Sequence, residues 1–132
     1  MRGVAQRPLE LILARNLLAS LSTPAFLADA EGEIAFYNEA AGTLLGRRFE
    51  ETGPLAAGHW TATFGPLDSE GETVPFDTLD LTEALRGNRP AHDSFSIRSS
   101  NGAFHAIEAS GFPIVGAGGY RGAIIVFWPV GS

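Results

Sequence analysis

The sequence predicts an α+β fold: a five-stranded antiparallel sheet with short helices on one face and an N-terminal helix against the other. Three observations lead to it. Two apolar runs separated by a glycine turn, AFLAD and EIAFY, stand early in the chain as a hairpin. Three further strand-like segments come late, at 92–98, 103–112 and 121–128, with only short helical segments in between. The final strand, AIIVFW, shows no alternation of apolar and polar residues, so both of its faces require cover.

Residues 1–8 read as a leader, and 9–21 as a flanking helix whose first turn suits Pro8. At 100° per residue, Leu11, Ala14, Leu18 and Leu21 share one stripe, which Leu9, Leu13 and Leu17 widen past a half-circle. A helix so apolar calls for cover on more than one side: on the plain reading it lies across its own domain's sheet, and on the sharper one it also meets a second copy of the chain. Ser22-Thr23-Pro24 stops it, and residues 22–130 follow as a single domain.

In the hairpin, Ile34 and Phe36 are expected on one face and Ala35 and Tyr37 on the other, with Gly32 supplying a positive φ in the turn. Asp29 is placed to satisfy backbone donors there. Asn38 stands at a helix N-cap, Glu39 where the helix dipole favours an acid, and Gly46 at the C-cap. From 47 to 78 glycine and proline are frequent, SEGETVP reads as a turn or small hairpin, and Trp60 and Phe64 share one face of a helical turn. LDLTEALR, ending at Gly87, reads as another short helix. Asn101-Gly102 marks a tight hairpin, and Gly116 to Gly119 a looser, flexible link to the last strand.

Composition narrows the function. All nine basic residues are arginine, and fifteen acids against them leave a net charge of −6, which argues against direct nucleic-acid binding. Without cysteine there is no disulfide, thiolate nucleophile, thiolate metal site or cysteine-linked cofactor. Glu10, Arg15 and Asn16 interrupt the N-terminal apolar run, which therefore reads as neither signal peptide nor membrane span. With no Asn-x-Ser/Thr sequon either, a cytoplasmic location is expected.

The order of features resembles the PAS family. Its opening of apolar strand, Asp, Gly turn, strand, Asn, Ala-containing helix and Leu-Gly is matched by Phe26-Leu27-Ala28-Asp29, Gly32, Ile34, Asn38, Ala40-Ala41 and Leu44-Leu45-Gly46. Leu81 to Gly87 resembles the family's later helix and its exit. Asn101-Gly102, Pro113-Ile114 and Gly122 resemble its last hairpin. The resemblance covers about residues 15 to 128 and implies a curved sheet cupping small helices, used for sensing or protein interaction rather than catalysis. It leaves the cofactor unknown. It also implies no cysteine-bound flavin or chromophore, and it disfavours haem because the segment from Leu79 to Arg86 lacks an axial histidine. The family's Asp-Ile/Val-Thr exit is replaced by Trp128-Pro129-Val130-Gly131-Ser132, so the usual relay to a following helix is absent.

The chemical candidates are few. His59, His92 and His105 have no metal-ligand spacing, so no metal is expected. A serine–histidine–carboxylate assembly needs no fixed spacing, but no Gly-x-Ser-x-Gly elbow is present. GAGGYRG is not a phosphate loop, because Arg121 stands in place of the third glycine and a strand follows. Arg47-Arg48 reads as a solvated helix end. A pocket in the cup would be lined by Phe36, Trp60, Phe64, Leu81, Leu85 and Phe95, with Ile97, Ile107 and Ile125 beneath. Tyr37, Thr43, His59, Ser94 and Ser110 would supply its polar contacts. The alternative is that the aromatics fill this space themselves.

The leading expectation is a non-catalytic PAS-type module for small-molecule sensing or protein–protein interaction in signal transduction. It would homodimerise through Leu9, Leu13, Leu17 and Leu21 together with Ile124, Val126 and Trp128, and take a signalling protein as a further partner. Two alternatives stand beside it. One is a ligand-bound sensor domain, holding flavin, haem or lipid, cut from a larger regulator. The other is a small enzyme on a cone-shaped α+β fold.

Overall fold

A computed structural model describes residues 9–75 and 79–130, so the 1–8 leader lies outside the described residues. Helix α1 (Leu9–Ala19) leads into strands β1 (Ala25–Asp29) and β2 (Ile34–Tyr37). Four short helices follow: α2 (Glu39–Leu45), α3 (Phe49–Thr52), α4 (Ala57–Phe64) and α5 (Asp80–Arg86). Strands β3 (Ala91–Arg98), β4 (Phe104–Gly116) and β5 (Gly119–Pro129) complete a five-stranded antiparallel sheet of order β2-β1-β5-β4-β3. The last strand is therefore central. That position explains its unbroken apolar run, since a central strand is covered on both faces.

Local chemistry sets the first hairpin. Asp29 Oδ1 accepts the amides of Glu31 at 3.0 Å and Glu33 at 2.9 Å, and Gly32 turns the chain at φ 87°. At the end of β2 the Asn38 side chain caps α2 through the Ala41 amide, and Gly46 closes that helix in the left-handed region at φ 83°. Helix α3 was not foreseen. Its start is held by Glu51 Oε1, which accepts the Arg48 amide at 2.8 Å, an acid placed three residues on as in a capping box.

Two core layers sandwich the sheet. The inner layer joins Phe26, Tyr37, Trp60, Leu81, Ile97 and Phe127 with their neighbours beneath the short helices. The outer one packs Leu11, Ala14 and Leu18 of α1 on Ala25, Leu27 and Phe36. Each of the two buried leucines of α1 contributes about 2 kcal/mol by area removed from water.

Three expectations change here. Phe36 does not face the cup: Leu27 pairs with Phe36 and Ala28 with Ile34, so Ala35 is an extra residue, and the bulge turns both Ala35 and Phe36 under α1. The link at Gly116 to Gly119 is a two-residue turn closing the β4–β5 ladder, which carries a bulge at Arg121, with Gly119 at φ 103°. Pro113-Ile114 lie within β4, which runs past the expected end at 112, and Gly122 lies within β5. Proline is tolerated there because β3 pairs with β4 only as far as Gly111, which leaves that side of β4 open beyond it. Ile124 and Val126 are half-buried against α1 of the same chain, the helix expected on that face, so the outer face of β5 is partly covered from within.

Candidate functional site

The cup over the inner sheet face is built by α4, α5 and the three late strands. One turn of α4 sets Trp60 and Phe64 on the same side, each 3% exposed. Helix α5 presents Leu81 and Leu85 so closely to β4 that a Cβ on Gly111 would meet the Leu81 Cδ1 at 2.9 Å and the Leu85 Cδ1 at 3.0 Å. Ile97, Ile107 and Ile125 form the floor, and Phe95 packs at its margin. Across the middle the Phe26 ring stands 4.7 Å from Phe127, 5.9 Å from Trp60 and 6.1 Å from Tyr37. These rings occupy the centre of the cup at contact distance.

The polar candidates separate. The Tyr37 ring is buried, and its hydroxyl donates to the Arg47 carbonyl at 2.8 Å. Burial raises its pKa above the ordinary tyrosine value, an effect the Thr52 hydroxyl partly offsets. Thr43 is exposed and spends its hydroxyl proton on the Glu39 carbonyl. His59 is exposed on α4. Ser94 and Ser110 pair with Glu108 and His92 in the β3–β4 ladder, and they project from the opposite side of the sheet to Ile107 and Ala109.

That outer side carries the one histidine–carboxylate contact among the described residues. His92 Nε2 lies 3.0 Å from Glu108 Oε1, its Nδ1 lies 3.3 Å from Ser110 Oγ, and its ring is 6.1 Å from Trp128. A histidine, a carboxylate and a serine are thus together, a grouping the sequence did not reveal because it needs the β3–β4 register. His92 and Glu108 are 51% and 38% exposed on strands, however, and a nucleophile there has no enclosing wall to exclude water. Among the described residues no three His, Asp or Glu side chains are arranged to hold a metal ion, and no helix is long and apolar enough to cross a membrane.

Of the interface candidates, Leu9, Leu13 and Leu17 of α1 are 66%, 59% and 57% exposed, and Leu21 and Trp128 are partly so. They form an apolar shoulder beside the buried stripe of the same helix. Open cavities lie at the rim of the cup. One of about 490 Å³ lies between α4 and the β3–β4 turn, where His59 and Phe64 line it. Another of about 530 Å³ lies against the same turn and includes Thr43 and His105.

No protein-family model matches the chain, and no curated protein does. Solved structures do. The PAS domain of BvgS from Bordetella pertussis superimposes with a TM-score of 0.62 at 15% identity, over 93% of this chain and 87% of that one. A LOV protein from Rhodobacter sphaeroides gives 0.71 at 12% identity, over 92% and 67%. A PAS domain of a LuxR-family transcriptional regulator from Burkholderia thailandensis, solved in complex with ethanol, gives 0.63 at 8% identity, over 89% and 96%. The chain has the PAS fold.

Proposed function

We propose that this chain is a non-catalytic, cytoplasmic PAS-type signalling module that works as a homodimer, with α1 as the joining element. One observation carries the reading: α1 is apolar on two sides. Its Leu11, Ala14 and Leu18 are buried on the chain's own sheet, while Leu9, Leu13 and Leu17 stand in solvent beside them. Exposed leucines at that spacing suit a symmetric partner, because a two-fold axis matches the stripe with itself. Trp128 extends the surface onto the sheet, whereas Ile124 and Val126 act from beneath α1. A signal would bias α1 between two seatings on the outer sheet face. Light scattering tests the dimer: the native chain should show twice the mass of one chain, and Leu13→Glu with Leu17→Glu should halve it. A native chain that stays monomeric at high concentration would sink this reading.

What the module responds to has two sources. A protein partner is favoured by the rings of Phe26, Trp60 and Phe127, which meet across the cup and leave a planar cofactor little space. A small molecule is the second reading, and the ethanol held by the Burkholderia domain shows that a PAS fold can take a ligand far smaller than flavin or haem. Native mass spectrometry with an absorbance scan separates the two, since a bound flavin or haem adds mass and colour and a bound lipid adds mass alone.

A further inference from the structure

We propose that the cavity between α4 and the β3–β4 turn binds a small organic anion, a carboxylate or a phosphate, through the guanidinium groups of Arg47 and Arg98. The chain is acidic overall, with fifteen acids against nine arginines, so a concavity with cations and no carboxylate runs against its composition. This one of about 490 Å³ is lined by Arg47, Arg98 and His59, and no Asp or Glu is among its described lining residues. Neither arginine has a carboxylate partner among the described residues.

The walls are held in place independently of any ligand. The Ser100 amide donates to the Leu45 carbonyl at 2.7 Å and its hydroxyl to the Gly46 carbonyl at 3.0 Å, which ties the β3–β4 turn to the end of α2. Tyr37 fixes the backbone of Arg47 from behind. Arg98 lies with its guanidinium carbon 5.5 Å from the centroid of Phe104. The site is thus framed on two elements that are hydrogen-bonded to each other.

The side-chain donors left to an anion are the two arginines and the His59 imidazole. Around the cavity the hydroxyls of Thr52, Thr63 and Ser100 already bond backbone carbonyls, at 3.0, 2.9 and 3.0 Å. Guanidinium groups recognise planar carboxylates and phosphates by paired N–H bonds. Leu55 and Phe64, buried at the base, lower the local polarity and strengthen such bonds. The volume is that of a small-molecule site. Glu50 and Glu51 on α3 stand near the Tyr37 hydroxyl, as Arg47 does, but neither is among the described lining residues, and Glu51 is engaged with the Arg48 amide.

The test is titration of the full chain with citrate, succinate and inorganic phosphate, followed by calorimetry and amide NMR shifts. Saturable binding is expected, weakened by salt, with shifts centred on Thr63, Arg98 and Ser100. Saturation by phosphate alone identifies a phosphate site, and by citrate or succinate alone a carboxylate site. Arg47→Gln and Arg98→Gln should each weaken binding about tenfold, as for the loss of a charged hydrogen bond. Arg89→Gln, distant on the chain, should leave it unchanged. If Arg98→Gln does not fold, Arg47→Glu must abolish binding by itself. Failure of all three probes to saturate, shifts centred elsewhere, or undiminished binding by the Arg47 variants overturns the proposal. The dimer mass is measured on the same samples, so the two readings stand or fall separately.

Discussion

The side-chain nitrogen of Asn38 donates to the carbonyl of Leu18 at 3.1 Å, so the residue that caps α2 also holds the end of α1. The same nitrogen reaches the Thr23 carbonyl at 2.8 Å, and the oxygen accepts the Ala25 amide at 3.1 Å. Asn38 is 2% exposed, so its own side-chain amide has little water to fall back on. Asn38→Ala should cost about 2–4 kcal/mol, combining a lost cap with buried groups left unpaired. Asn38→Asp keeps both acceptor roles and loses both donations. Hydrogen exchange should then quicken in α1 while α2 stays protected. Equal quickening in both helices would contradict this division of labour.

The two sides of α1 should answer differently to truncation. Leu11→Ala and Leu18→Ala empty buried sites and should each cost about 2–4 kcal/mol, whatever the protein concentration. Leu13→Ala and Leu17→Ala touch solvent-facing positions, so their effect on the chain alone should stay within about 0.5 kcal/mol. In a dimer they should instead make the melting temperature depend more steeply on concentration. Thermal scans across a wide dilution series read both.

Gly122 is irreplaceable for a backbone reason. It sits in β5 at φ 153°, opposite Asp29, and a Cβ there would run into the Ala28 carbonyl oxygen and come within 3.2 Å of Leu11 Cδ2. Gly122→Ala should therefore part β1 from β5 and cost about 1–3 kcal/mol or more. A denaturant midpoint unchanged from the native chain would refute the placement.

Stability should fall at alkaline pH. Tyr37 and Tyr120 both have pKa values raised above the ordinary value of 10.0, in each case chiefly because burial disfavours the phenolate. The unfolded chain then ionises first as pH rises past that value. It binds fewer protons than the folded chain, so the stabilisation present below pH 10 is lost above it. Phenolate absorbance during an alkaline titration should lag behind that of free tyrosine, and Tyr37→Phe should make the loss of stability shallower.

Much of this architecture was legible because its signals are local. The glycine turn at Gly32, the run from Asn38 to Gly46 and the Asn101-Gly102 hairpin announce themselves within a few residues, and their order along the chain implied the sheet. What escaped reading depends on contacts made across the sequence. Simple alternation put Phe36 inside, but one extra residue opposite Leu27 moved it out. Arg47 is exposed past the end of α2, as a solvated helix end would be, but only the hydrogen bonds of Ser100 bring the β3–β4 turn beside it. His92 met Glu108 through strand register, which composition and spacing do not encode. Ile124 and Val126 pack under α1, and the share of that face taken by the helix depends on how the helix lies.

The central place of β5 also fixes a timetable. Ala25 pairs with Val126, and β5 is the last of the five strands to be synthesised. Until it emerges, the β1–β2 and β3–β4 hairpins each present a bare edge, and neither can complete its core. Closing so distant a contact is entropically slow. The nascent chain therefore spends its synthesis as two unfinished halves, exposed to chaperones or to like chains on the same polysome. Joining them is a single late event.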